Sequence, residues 1–553
     1  MKHPARLFSF VVVVCSLHAC GGNGSLPSQL VSSPPISAPA EPIARLPNQR
    51  VSAETPVAAG CTGGAVSGQN YPNAEVEPFA AVHPNNPNII ASAWQQDRWS
   101  NGGARALVAA VSEDGGATWV RQLMPFSRCG GALPGSAGDD ERVSDPWVDI
   151  GPTGIIYAMG LSFSGESMAP GSSSTLITSR SLDNGKTWTA PSIILRDGAD
   201  YFNDKNALTA DPTDERYVYT VWDRLDTSNR GPTLFSRSTD SGATWETART
   251  IYAPTVRNGV SQTLGNRIVV LPDGSLINMF TQIDTVNNLS TSFIAIIRSF
   301  DKGVSWSAPI RVADIQAVGA ITPQTGTGVR DGAGIAQIAA GQAGNVWITW
   351  QDARFSGGLR DAIVISRSRD GGATWSSPAA ISRNFNVPAF TPSIAVNADG
   401  NIGVSHFDFR FDTARANTTL TSAWLLSSRD GITWNETLIW SPFDLNQAAV
   451  ARGLFLGDYQ GLVATGSSFL PVLAMSSQDT NNRSDIFSLK ITPSPLAGLV
   501  KQAQRQETLN EKPLSEKEFS AARHAAIVNT MERRMPGWAH RLGLPDAARQ
   551  PRE

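Results

Sequence analysis

The stretch SEDGGATW, Ser112–Trp119, returns as SLDNGKTW from Ser181, STDSGATW from Ser238, SFDKGVSW from Ser299 and SRDGGATW from Ser368, with a shorter copy, SRDGITW, from Ser428. The shared form is S-x-D-x-G-x-T/S-W. Ser and Asp side chains hold nearby backbone amides, and Gly supplies the positive φ of a tight turn. Each copy follows a short apolar run such as ALVAAV, TLIT, FIAII or AIVI, so the motif closes a β-hairpin. The terminal Trp offers a large flat surface for burial against the next sheet.

A second repeat surrounds the first. Strand, tight turn and strand recur as PFAAVHPNNPNIIASAW, PWVDIGPTGIIYAMG, ALTADPTDERYVYTVW, RIVVLPDGSLINMF, GIAQIAAGQAGNVWITW, SIAVNADGNIGVSHF and GLVATGSSFLPVLAM. After the last of these comes DIFSLKI without a closing turn motif, which leaves three strands in need of a fourth. The segment RVSAETPVA, Arg50–Ala58, can supply it. The sequence therefore predicts an all-β fold, a seven-bladed β-propeller of four-stranded antiparallel blades over residues 51–496, closed by the N-terminal segment. Six blades is the alternative.

With copies 57 to 69 residues apart, the chain resembles the Asp-box, or BNR-repeat, propellers of the sialidase superfamily over about Glu75–Thr492. The motif speaks for the fold; by itself it is a hairpin lock without chemistry.

Composition narrows the partners. The 553 residues are 41% hydrophobic and 17% charged, with net charge −3, which gives no basic surplus for a nucleic-acid partner. The start reads as an export signal: Lys2 and Arg6, then the apolar LFSFVVVVCSL, then LHAC ending at Cys20. This resembles the lipobox of bacterial lipoproteins and implies a signal peptide over 1–20, lipidation at Cys20 and a lipid anchor in the cell envelope, periplasmic or surface-exposed. Plain secretion and a retained anchor helix are the alternatives. Residues 21–50, rich in Pro and Ser, read as a disordered tether. Cys15 lies in the discarded peptide, so Cys61 and Cys129 are left to pair as a disulfide in an oxidising compartment, or to remain buried thiols. No metal site or cofactor is indicated. GDDERVSD, Gly138–Asp145, misses the acid spacing of a calcium loop. Residues 497–553 form a helical extension: Pro513, a Ser515–Glu518 capping box, and apolar Phe519, Ala522, Ala526, Ile527 and Met531 mark one amphipathic helix, expected on the propeller's side. A partner-binding tail is the alternative. The chain is expected to be monomeric.

In a four-stranded meander the turn motifs lie on one face, and the blade crossovers and second-to-third loops on the other. Chemistry belongs on the second face, at the mouth of the central channel. Second strands end there in WQQDR (Asp97, Arg98), VWDR (Asp223, Arg224), WQDAR (Asp352, Arg354) and FDFR (Asp408, Arg410). First strands begin there with Glu75 and Glu77, Asp145, Asp204 and Lys205, Arg267, Arg330 and Asp331, and Asp458 and Tyr459. Planar Arg groups grip carboxylates with two parallel bonds, so the ring suits a polar or anionic ligand such as a glycan. The repeated Asp and Arg can equally bridge blade to blade.

The family resemblance implies three arginines on a substrate carboxylate, a glutamate-activated tyrosine nucleophile and an aspartate acid/base. Carried over here, it makes Tyr459 the nucleophile candidate with Tyr71 second, Asp145 or Asp204 the acid, and Arg98, Arg224, Arg354 and Arg410 the clamp. Lys205, Glu77 and Asp458 join as further binding residues. The family's Arg-Ile-Pro signature is absent; EVEPF, Glu75–Phe79, stands in a comparable place. His406, alone near the mouth, reads as a packing residue or a base. Two functions stay open: an exo-acting, sialidase-like glycoside hydrolase on anionic glycans, and a non-catalytic propeller that binds glycan or protein.

Overall fold

The computed structural model describes residues 49–65, 67–414, 417–493 and 511–544. The signal segment with Cys20, the tether up to residue 48 and residues 494–510 of the extension lie outside the described residues.

Hairpin-linked strands build four-stranded antiparallel sheets in chain order. One runs Tyr201–Ala210, Val218–Asp226, Thr233–Ser238, Arg249–Tyr252. The first two such units share one eight-stranded sheet through the Ala104–Val143 pair. First strands are buried along nearly their whole length, as in Val76–His83 and Arg142–Ile150, whereas fourth strands such as Ser192–Asp197 stay largely open. That gradient explains why FAAV, Phe79–Val82, reads as an unbroken apolar run: neighbours cover both faces.

The first strands Val76–His83, Arg142–Ile150, Tyr201–Ala210, Gly259–Val270, Gln337–Ala340, Ala389–Val396 and Gly461–Thr465 each touch the next, and the last touches the first. A closed ring of sheets, a β-propeller, results. Its final sheet is completed by the strand Gln49–Arg50, antiparallel to Asn482–Ser488, with Arg50 opposite Phe487. The closing strand thus starts at Gln49, inside the range read as tether. It stops at Arg50 rather than running on to Ala58; farther along, Thr55 instead donates to Asp97 Oδ2 at 2.8 Å.

The repeated turns are the same bond by bond. The Gly116, Gly185, Gly242, Gly303 and Gly372 amides each donate to the motif's Ser Oγ at 2.8 Å. Asp114, Asp183, Asp240, Asp301 and Asp370 accept from the Thr or Ser four residues on, at 2.8–2.9 Å to the amide. At Gly185 (φ 79°) an added Cβ would stand 2.4 Å from Val111 of the preceding sheet, so the glycine answers both a left-handed backbone and a close approach. The tryptophans lean the same way: Trp306 meets Phe235 edge-on with ring centroids 5.7 Å apart. The sequence placed them against the next sheet, but the turn folds back over the one before it.

Register separates the two ends of each sheet. Arg98 lies opposite Ala104, while Ser112, where the turn begins, lies opposite Ile90. The Asp-Arg strand ends and the turn motifs are therefore on opposite faces. Cys61 and Cys129 form a disulfide. Beyond the ring, helix α1 (Glu516–Arg534) starts at the Ser515–Glu518 capping box and is followed by α2 (Trp538–Arg541).

Candidate functional site

The mouth is built by one backbone device used several times. First strands bulge near their start, between Val76 and Phe79, Ser144 and Trp147, Asp204 and Ala207, Leu264 and Arg267, and Phe390 and Ser393. At each bulge a residue turns left-handed: Glu77 (φ 54°), Asp145 (51°), Lys205 (49°), Gly265 (66°) and Thr391 (50°). A bulge re-aims its side chain, and a non-glycine residue held there costs about 1–3 kcal/mol of strain. Glu77, Asp145 and Lys205 carry that strain and meet in one buried cluster.

Lys205 Nζ lies 2.7 Å from Asp458 Oδ2, 3.6 Å from Asp145 Oδ1 and 3.8 Å from Glu77 Oε1. Its backbone amide also donates to Asp145 Oδ2 at 3.0 Å. Arg330 grips Asp458 with two bonds, at 2.9 and 2.7 Å. Arg330 is held by a small extra sheet in which Val329–Arg330 pairs in parallel with Leu454–Phe455. Glu77 accepts from Gln95 Nε2, which also reaches Ser144 Oγ, and that hydroxyl donates to Asp145 at 3.0 Å. Arg98 enters through Gln95 Oε1 and lies over the Phe455 ring.

The charges set one another's protonation. Burial pushes the Asp145 carboxyl up to about 7, with Lys205 opposing and Asp204 and Glu77 adding to the rise. For Asp204 burial acts upward too, but Arg534 and Lys205 outweigh it and hold the group below its ordinary range. Asp458 is likewise held low by Arg330 and Lys205 against burial. The carboxylates around Lys205 overcome its burial and raise the ammonium. A protonated carboxyl beside an ionised one is an acid/base arrangement.

Tyr459 belongs to the floor of the site. Its hydroxyl donates to the Pro146 carbonyl at 3.2 Å, and its ring packs edge-on against Trp147 and Phe79, which stack on each other. Burial and then Glu77 and Asp145 push the phenol well above its ordinary value. Among the described residues no carboxylate accepts its proton, and the hydroxyl is spent on a backbone carbonyl. Tyr71 lies outside the cluster, beneath the Arg483 guanidinium.

The arginine clamp does not assemble. Arg224 pairs with Asp197 through two bonds of 2.8 and 2.7 Å and stacks on Tyr201. Arg354 holds Asp352 and the Asp314 carbonyl, and Arg410 holds Asp408 and Glu436 over the Trp424 ring. These guanidinium groups are consumed by partners at their own strand ends, so the repeated pairs stitch sheets and crossovers. Of the four, Arg98 alone reaches the cluster. His406 is buried with both ring nitrogens unpartnered, and desolvation lowers it to about 4. Asp139 and Asp140 of the acidic loop hold Arg128 and Arg196.

Residues 511–544 of the C-terminal extension lie over the mouth, not on the propeller's side. Arg534 bonds Asp204 through Nε and Asp223 through Nη2, the latter at 3.1 Å. Thr530 donates to the Ala333 carbonyl, Arg533 to that of Val329, and His524 Nδ1 accepts from the Ser290 amide. Met531, Met535 and Trp538 pack with Leu225, Leu264 and Ile335 at the rim. Between helix and ring remains a cavity of about 10 Å³, bounded by Arg330, Asp458, Thr530 and Arg534, room for about one water. Arg534 escaped the sequence reading because a basic pair at a helix C-terminus is what the helix dipole alone would favour.

No family model and no curated protein matches the chain. Among solved structures it is similar to the Hadza microbial sialidase Hz136, at 15% identity and a TM-score of 0.41, over 81% of this chain and 97% of that one. A mutant of NanB sialidase from Streptococcus pneumoniae is 9% identical with a TM-score of 0.41, over 77% and 94% of the two chains. An α-L-arabinofuranosidase of Fusarium graminearum in complex with arabinobiose is 11% identical with a TM-score of 0.41, over 77% and 95%.

Proposed function

We propose that this chain is a seven-bladed Asp-box propeller acting as a glycoside hydrolase at its mouth, with Asp145 as the general acid and Asp204 as the carboxylate that works opposite it. The observation that carries the reading is the Asp145–Asp204 pair: two adjacent carboxyls, one pushed up to about 7 by burial and the other held low by cations. Glycoside hydrolysis asks for a proton for the leaving oxygen and a carboxylate for the nucleophile or the activated water. The two stand about 5 Å or more apart across the sugar, so the pair works only once a bound sugar has parted the two side chains. Lys205, Arg330 and Arg98 are the cations that an anionic sugar would meet, and Glu77 and Asp458 orient Lys205. Lipidation at Cys20 anchors the chain in the cell envelope.

Turnover of a panel of aryl glycosides, sialosides and arabinofuranosides included, tests the reading. Asp145→Asn is expected to lower kcat by about 10²-fold or more. Turnover of the whole panel unchanged by that substitution removes Asp145 from the chemistry. Metabolic labelling with a fatty acid, lost in Cys20→Ser, tests the anchor.

One observation favours the second reading, a propeller that binds without catalysis. The mouth is filled by α1, and the space left is about 10 Å³. A chain that turns over no glycoside with the extension displaced is a binding or scaffold protein.

A further inference from the structure

We propose that residues 511–544 are a built-in plug, an autoinhibitory occupant of the mouth whose Arg534 holds the place of a ligand's hydrogen-bond donors; this rests on the mouth being the ligand site. The ring is complete without the extension. Its sheets close on the strand Gln49–Arg50, and among the described residues the extension adds no strand to any of them.

The charge balance of the mouth divides at this point. Asp458 receives Lys205 and Arg330 from the ring itself. Among the described residues, the only cation within ion-pair distance of Asp204 or Asp223 is Arg534. The ring therefore gives Asp204 and Asp223 no contact ion pair, Lys205 acting on Asp204 only from beyond that distance, and the tail brings one. The seat is shaped for the tail as well: a Cβ on Gly357 or Gly358 would come within 2.7 Å of Pro513 or Phe519.

With the plug seated nothing larger than a water fits beside Arg330 and Asp458, so a ligand and α1 exclude each other. A group that displaces Arg534 must bring donors to both carboxylates, as an amino sugar or a pair of sugar hydroxyls does. Affinity for such a ligand falls in proportion to the fraction of molecules with the plug out.

Hydrogen exchange of the full chain tests this, comparing α1 with the inner strand Arg142–Ile150 in the native protein, Arg534→Ala and Arg534→Lys. A plug opens locally. The α1 amides are expected to exchange faster than the inner strand, at least tenfold faster again in Arg534→Ala, with the strand unchanged and Arg534→Lys in between. Exchange of α1 at the rate of the inner strand in every form overturns the proposal, because the helix is then a fixed part of the fold. Should Arg534→Ala fail to fold, Phe519→Ala, which touches neither carboxylate, carries the same comparison. Turnover of the glycoside panel is read in parallel. A gain in Arg534→Ala supports both plug and hydrolase; faster α1 exchange with no turnover in any form keeps the plug and removes the hydrolase.

Discussion

Arg534 and Asp223 lie 311 residues apart in the chain and 3.1 Å apart in the fold, both buried, and that bond ties the C-terminal helix to the second strand of the Tyr201–Tyr252 sheet. A buried ion pair that loses one partner leaves an uncompensated charge. A double-mutant cycle of Arg534→Ala with Asp223→Asn, read by urea unfolding, is expected to give a coupling of about 1–3 kcal/mol. The exposed pair Arg311–Asp314 should give less than about 1 kcal/mol in the same cycle. Equal couplings would contradict the clasp.

Asp145 ties stability to pH. Its folded-state value, about 7, stands above the roughly 3.9 of an unfolded aspartate. Its stabilising contribution is full below about pH 4 and disappears as pH rises through 7, at up to about 1.4 kcal/mol per unit. Urea midpoints of the native chain should fall between pH 4.5 and 7.5 relative to Asp145→Asn. Parallel curves would place the buried proton elsewhere.

The turn aspartates act with the opposite sign. Hydrogen bonds from Thr374, side chain first and then amide, lower Asp370 to about 2. Its contribution is present above about pH 4 and is lost as pH falls through 2. Acid unfolding followed by Trp fluorescence should therefore be shallower between pH 4 and 2 in Asp370→Asn than in the native chain.

At Gly185, alanine meets two obstacles, a left-handed φ of 79° and Val111 at 2.4 Å. Gly185→Ala should destabilise by more than the roughly 0.4–1 kcal/mol that the same change gains where the backbone accepts alanine, read as a lower melting temperature. Gly400, with the same φ of 79° but nothing near its would-be Cβ, is the control for the contact and should shift less.

The Cys61–Cys129 disulfide spans 68 residues and fastens the N-terminal segment after it has closed the last sheet. Replacing both cysteines by alanine should lower unfolding free energy by about 2–4 kcal/mol. A loss confined to exchange protection near Val57 would mean that the bond holds only its own loop.

How far the sequence carries depends on the distance between the groups that cooperate. The Ser112–Trp119 turn is settled by bonds between residues two and four apart, so every copy could be read where it stands. Glu77, Asp145, Lys205, Asp204 and Asp458 were legible as charges at strand starts because the strand pattern fixes which end they occupy. Their roles were not. A one-residue bulge decides which way each side chain faces, and no local signal marks it. Arg224, Arg354 and Arg410 look like a clamp in the sequence. They are not one, because Arg354 and Arg410 each have a carboxylate within their own sheet and Arg224 has Asp197 at the end of the preceding one.

By itself the sequence determined the hairpin lock and the all-β succession of antiparallel sheets, since both follow from periodicity and from neighbours a few residues apart, and a count of strands pointed to the N-terminal segment without placing its strand. Only the tertiary structure decided that the tail covers the mouth, that Tyr459 is floor and that burial raises the Asp145 carboxyl. Those outcomes arise from burial and from charges contributed by segments hundreds of residues distant, and neither exists until the ring has closed.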